Sequence, residues 1–129
     1  MSAIISFDDP SRAPLYDNPR AERLVKGNPL RSTWEFHESQ DGLVSAGTWA
    51  CEPGAWRIVF PATREEFFHV LEGRIRIVDL RGEVKEFGPG EACVIPPGFE
   101  GTFEVLEPVR KRYVFIDRAA LRDNGSEST

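Results

Sequence analysis

The sequence predicts an all-β domain, a sandwich or small barrel, on three observations. From Ser32 onward apolar and polar residues alternate in short runs, the period of strands buried on one face. These runs are separated at even spacing by the turn dipeptides Asp41-Gly42, Pro53-Gly54, Glu72-Gly73, Arg81-Gly82 and Pro97-Gly98, several of which need the positive φ that glycine tolerates. A length of 129 residues with 40% hydrophobic content suits one domain with a single core and no covalent staple.

Residues 1–30 hold four prolines and no sustained periodicity, which predicts an extended arm with a short helical turn about Ala21 to Val25. An arm of this kind packs on its own barrel or on a neighbouring copy, with Leu15, Tyr16, Leu24 and Val25 as apolar handles. His37, within "TWEFHESQDG", reads as a loop or edge residue. Strands are then expected in "LVSAGTWAC", "WRIVF", "FFHVLEG", "RIRIVDL", "EVKEFG", "ACVIPPG", "GTFEVLE" and "RKRYVFI", about eight in all. The barrel so defined spans 31–118, and a polar tail, 119–129, ends in "RDNGSEST" and is expected to fray.

Composition narrows the function classes. The two cysteines, Cys51 and Cys93, make no disulfide framework, which points to a reducing compartment. The opening "MSAIISFDDP" has no basic segment followed by an apolar run, and no stretch approaches membrane-spanning length, so a cytoplasmic protein without a membrane partner is expected. A formal net charge of -5 disfavours a polyphosphate, and nucleic acid is excluded as a main partner.

The segments "REEFFHVLEGRIRI" and "GPGEACVIPPGFEG" resemble the two motifs of the cupin superfamily, whose fold is a jelly-roll β-barrel. More narrowly, "GNPLR", "AGTWACEPGAWRIVFP" and "IPPGFEGTFEVLEPVRKRYV" resemble small single-domain cupins of the (S)-ureidoglycine aminohydrolase type, over about Gly27 to Ile116. The resemblance implies a single-domain cupin barrel with an N-terminal arm. It also implies a metal inside, held by two histidines and a glutamate from the first motif and a histidine from the second, or by a Glu/His/His/Gln variant in the aminohydrolase.

This chain keeps little of that set. Counted from Gly73, the glutamate position falls on Glu66 and the two upstream positions near Phe60 and Ala62; counted from Pro96-Pro97-Gly98, the last falls on Gly101. Phenylalanine, alanine and glycine side chains carry no lone pair, and a lone carboxylate holds a divalent ion weakly. The expectation is therefore a barrel with no metal or other cofactor, a weakly held divalent ion at Glu66 being the alternative.

An inward Glu66 needs a cation or hydrogen-bond donors to offset its burial. On the last strand Val109, Lys111, Tyr113 and Phe115 share one face by the two-residue period, so Lys111 is expected to project toward Glu66, with the Tyr113 hydroxyl nearby. Alternatively Lys111 snorkels to the rim and Glu66 pairs with Arg57 or Arg64. Glu66, Lys111 and Tyr113 are the candidate catalytic residues. His69 is a secondary candidate, because alternation puts it on the face opposite Glu66. Cys51 and Cys93 read as core. Trp56, Phe60 and Phe103 are the candidate ligand-contacting rings, and ordinary barrel filling is the competing reading. Arg74, Arg76, Arg110 and Arg112 read as an outer face.

Three function classes follow. The first is a binder of a small polar molecule without the usual metal centre. The second is an enzyme, either a metal-independent acid/base catalyst or an aminohydrolase-like hydrolase with a rearranged metal set such as Glu66 and His69. The third is a dimeric scaffold without a ligand. A small-molecule ligand and a homodimer are the expected partners.

Overall fold

The computed structural model describes residues 3–119, so the expected tail beyond Ala119 lies outside the described residues. It is an all-β barrel of nine strands among those residues: β1 Leu15–Asp17, β2 Leu24–Lys26, β3 Arg31–Glu38, β4 Val44–Cys51, β5 Gly54–Val59, β6 Arg64–Asp79, β7 Val84–Phe87, β8 Ala92–Ile95 and β9 Glu100–Asp117. The described residues include no helix long and apolar enough to cross a membrane.

Two long strands organise the rest. β6 (16 residues) and β9 (18 residues) pair antiparallel along most of their length. The other edge of β9 carries β5 on its N-terminal half and β4 on its C-terminal half, while the other edge of β6 carries β8 and then β7. The sheet order β1-β3-β4-β9-β5-β2, with β6 to β8 attached through β9, curls these strands around one interior. That interior is a cluster of Cys51, Trp56, Phe68, Val70, Ile75, Ile77, Ile95, Phe103, Val105, Val109 and Tyr113.

The sequence reading divides β6 and β9 into two strands each, and the structure corrects it. Glu72-Gly73 is not a hairpin turn. Gly73, at φ 83°, sits where the β6–β9 register slips, opposite Pro108, a residue without an N–H to give a ladder. The slip shifts parity by one: Glu66, Phe68 and Val70 point inward before it, Ile75 and Ile77 after it. Glycine is needed there on two counts, since a Cβ would strain the backbone and collide with the Pro108 carbonyl.

Residues 31–38 are a full strand rather than a loop. β1 pairs only with Arg31 to Thr33, so His37 has β4 as its single ladder neighbour and is an edge residue. The arm lies on its own barrel. β1 extends the sheet beyond β3, β2 extends it beyond β5, and a 3-10 turn at Ala21–Arg23 joins them. Phe7 stacks on Phe36 at 5.1 Å and Asp8 lies 3.6 Å from Arg112, which holds the earliest described part of the arm on the outer face. Leu15, Tyr16 and Val25 remain exposed.

Gly73→Ala is expected to cost about 2 to 4 kcal/mol, positive-φ strain plus the clash with Pro108. Gly82→Ala, at φ 87° with no atom within 4 Å of its Cβ, is expected to cost only the strain, about 1 to 2 kcal/mol. Urea unfolding of the two variants checks the difference; equal losses would mean that the bulge is not closely packed.

Candidate functional site

The inward faces of β3, β4, β5, β6 and β9 enclose a cavity of about 380 Å³, at the small end of the range for ligand sites. Each strand contributes alternate residues: Trp49 from β4, Trp56 and Ile58 from β5, Arg64 and Glu66 from β6, Lys111, Tyr113 and Phe115 from β9. Phe60 and Phe103 also line it, so all three candidate ring residues face the cavity. Arg31 and Asp17, paired at 2.6 Å, lie along its rim.

At the inner end Lys111 Nζ donates to Glu66 Oε2 at 2.8 Å, with both residues only 4% exposed. The ammonium also lies 4.3 Å from the ring centroid of Phe68, 4.6 Å from Trp49 and 5.1 Å from Phe103. Desolvating two charges costs several kcal/mol per ion, and close pairing plus the electron-rich ring faces offset that cost. The pair does not use all its polar capacity: among the described residues no protein group bonds the second Glu66 oxygen or the remaining ammonium hydrogens. The snorkelling alternative does not hold, since Arg57 pairs with Glu100 at 3.0 Å and Lys111 stays inside.

Burial pushes the Tyr113 hydroxyl up to about 12, with the carboxylates of Glu35 and Glu66 adding to the shift. At neutral pH it is a proton-bearing donor rather than a base. The room for it comes from Gly47, where a Cβ would lie 2.8 Å from the Tyr113 oxygen. Burial likewise raises the Cys51 thiol to about 12 and Cys93 to about 11, so neither is a thiolate nucleophile at neutral pH. His69 pairs across the sheet with Ala92 and Arg112 and does not line the cavity; it faces away from Glu66, and the two are not brought together.

The cupin ligand positions do not fit a metal. Phe60 faces the cavity with a ring, and Ala62 is exposed. Gly101 points inward, but a Cβ there would collide with the Val78 carbonyl and come 2.9 Å from the Phe99 ring, so a histidine needs a shifted backbone. Glu66 already has an ammonium as its counter-ion. Among the described residues no group of three or more His, Cys, Asp or Glu side chains forms a possible metal site.

Sequence reasoning did not place in the cavity Trp49, Arg64, or the Asp17, Arg31 and Glu35 groups that the arm and β3 bring to it. Trp49 comes beside Lys111 through the β4–β9 register, which the sequence does not print. Arg64 shares the face of Glu66 two residues on, a parity that was readable, yet it reads there only as a possible partner of Glu66. Its guanidinium instead lies 4.2 Å from the Phe115 ring centroid and 5.3 Å from that of Phe60.

A folded-state pKa raised from 10.0 to about 12 means that the stability contributed by Tyr113 is fully present below pH 10 and lost as pH rises through 12. Urea unfolding across the alkaline range is therefore expected to show wild type losing stability relative to Tyr113→Phe above pH 10. Parallel curves would contradict the buried placement of the hydroxyl.

The comparisons agree with this architecture. A protein of unknown function of the DUF861 family from Pseudomonas syringae pv. tomato matches with TM-score 0.70 and 18% identity over 88% of this chain. This chain spans only 44% of that one. The EutQ protein of Clostridium difficile matches with TM-score 0.61 and 20% identity over 78% of this chain and 80% of its own. The cupin domain of Schizosaccharomyces pombe Cnp3 matches with TM-score 0.57 and 15% identity over 73% of this chain and 66% of its own. At these identities the likeness is one of fold. No curated protein matches the sequence. The model of the EutQ-like cupin domain matches residues 38–113, more than half the chain, and on the barrel and that match the protein belongs to the EutQ-like cupin domain family.

Proposed function

We propose that the barrel cavity binds a small polar organic molecule and that the Lys111–Glu66 pair does there, electrostatically, what a metal does in metal-holding cupins. The observation that carries this reading is the 2.8 Å contact between Lys111 Nζ and Glu66 Oε2 inside the cavity, with polar capacity left over on both groups. A ligand bearing a carbonyl or amide can use what remains: a donor on the ligand meets the second Glu66 oxygen, an acceptor meets the ammonium or the Tyr113 hydroxyl. Trp56, Phe60 and Phe103 supply flat apolar walls. A cavity of about 380 Å³ with charged groups at its inner end argues against the scaffold reading, which a barrel closed by its own side chains would favour.

The second reading is metal-independent acid/base catalysis. It is favoured by Glu66 and a protonated Tyr113 facing one cavity, a carboxylate able to accept a proton beside a hydroxyl able to donate one. The motif resemblance supports an aminohydrolase-like kinship without the metal-dependent reaction, since the donor set does not fit. A cytoplasmic homodimer belongs to the same proposal. Exposed Phe67 and Val94, register neighbours on the outer face, support contact between copies.

Protein purified without an affinity tag or added metal is expected to hold only background manganese, iron, zinc and nickel, in wild type and in Glu66→Ala alike. In a thermal-shift screen of small acids, amides, ureas and polyols, at least one compound is expected to stabilise wild type, and Tyr113→Phe to reduce its effect. Near-stoichiometric metal in wild type that disappears in Glu66→Ala would overturn the reading. A screen in which nothing stabilises the protein would return the scaffold to first place.

A further inference from the structure

Three cationic side chains line the cavity, and two are already committed: Arg31 to Asp17 at 2.6 Å and Lys111 to Glu66 at 2.8 Å. Arg64 is the third, and among the described residues it has no carboxylate within ion-pair distance and no side-chain hydrogen bond. The neighbouring arginines differ. Arg57 is paired with Glu100, Arg118 with Glu65, and Arg74 and Arg76 share Glu86. The Arg64 guanidinium carbon lies over the Phe115 and Phe60 rings, 4.2 Å and 5.3 Å from their centroids. A cation–π contact engages no oxygen acceptor, so the guanidinium keeps N–H donors, two of which a carboxylate binds at a time. Arg64 and Glu66 lie on the same side of β6, two residues and roughly 7 Å apart along the strand. A small molecule can therefore span from one to the other.

Resting on the cavity-binding reading above, we infer that the ligand is a small monocarboxylate whose carboxylate docks on Arg64 while its other end meets the Lys111–Glu66 pair. The pairing already made selects a monoanion. Arg31 and Lys111 are committed to Asp17 and Glu66, so Arg64 is the one lining cation left for a ligand carboxylate, and a second negative charge on the ligand meets no free cation, only the exposed carboxylate of Glu35. The aromatic walls favour a flat or apolar body behind the carboxylate over acetate alone.

The test titrates benzoate, propionate, benzamide, propionamide and inorganic phosphate into ¹⁵N-labelled protein, followed by amide shifts. Benzoate and propionate are expected to move resonances of β6 and β9 at the cavity, and each acid to bind at least about tenfold tighter than its amide, the scale of one charge-assisted bidentate contact. Arg64→Gln is expected to remove that advantage, and Arg64→Lys, which keeps charge but not the planar fork, to restore part of it. Arg110→Gln is the control. Arg110 also stacks on an aromatic, Trp34 at 4.8 Å, but on the outer face, so its loss is expected to leave benzoate affinity unchanged. If Arg64→Gln fails to fold, the acid-to-amide ratio on wild type and the Arg64→Lys titration decide. Amides that bind as tightly as acids, or phosphate that binds tighter than either, would overturn the monocarboxylate inference and leave the cavity-binding reading standing. The absence of cavity shifts with every probe would overturn both.

Discussion

A lysine and a glutamate that share a contact inside a barrel, each almost shut off from water, set conditions on everything around them. Neither can be buried alone: an unpaired charge in that interior costs several kcal/mol, and removing one partner of a buried pair typically costs about 3 to 5 kcal/mol. The two residues must therefore be delivered to the same point by strands that cannot slide, and β6 and β9 do this through one long antiparallel ladder. The Lys111 and Glu66 backbones are not cross-strand partners; Lys111 faces Val70 and Glu66 faces Phe115, and the long side chains cross the interior to meet. The aromatic faces of Phe68, Trp49 and Phe103 lie around the ammonium and offset part of its desolvation.

The same two strands explain how one barrel has a polar half and an apolar half. Before the slip at Gly73, β6 offers the cavity Arg64 and Glu66; after it, Ile75 and Ile77 seal the core. Had alternation continued without a slip, Arg74 and Arg76 would share the inward face of Glu66 and the isoleucines would face water. Instead both arginines reach Glu86 on β7, outside the barrel. A single glycine opposite a proline thus decides which side of the wall four residues occupy.

Much of this was legible in the sequence. Alternation from Ser32 onward carries the all-β class, and the inward face of Lys111, Tyr113 and Phe115 is readable from the two-residue period. The strand limits were not, because Glu72-Gly73 and Pro108 carry the residues of a turn and a break while the sheet uses them as a bulge. Nor was the aromatic enclosure of Lys111, since Trp49, Phe68 and Phe103 come from different strands and meet only through register. The departure at Gly101 was visible as a missing ligand. Its steric side, the Val78 carbonyl standing where a side chain would start, needed the folded chain.

The central claim is that Lys111 and Glu66 act as one buried unit. A double-mutant cycle on unfolding free energy measures that directly, with Lys111→Met, Glu66→Leu and both together. The account predicts that each single variant is strongly destabilised, because it leaves a charge unpaired in the interior. The double variant, with two apolar side chains of similar size, is then expected to recover most of the loss. Single losses that simply add in the double variant would mean that the two groups do not depend on one another, and that the 2.8 Å contact is not what holds the inner end of this cavity.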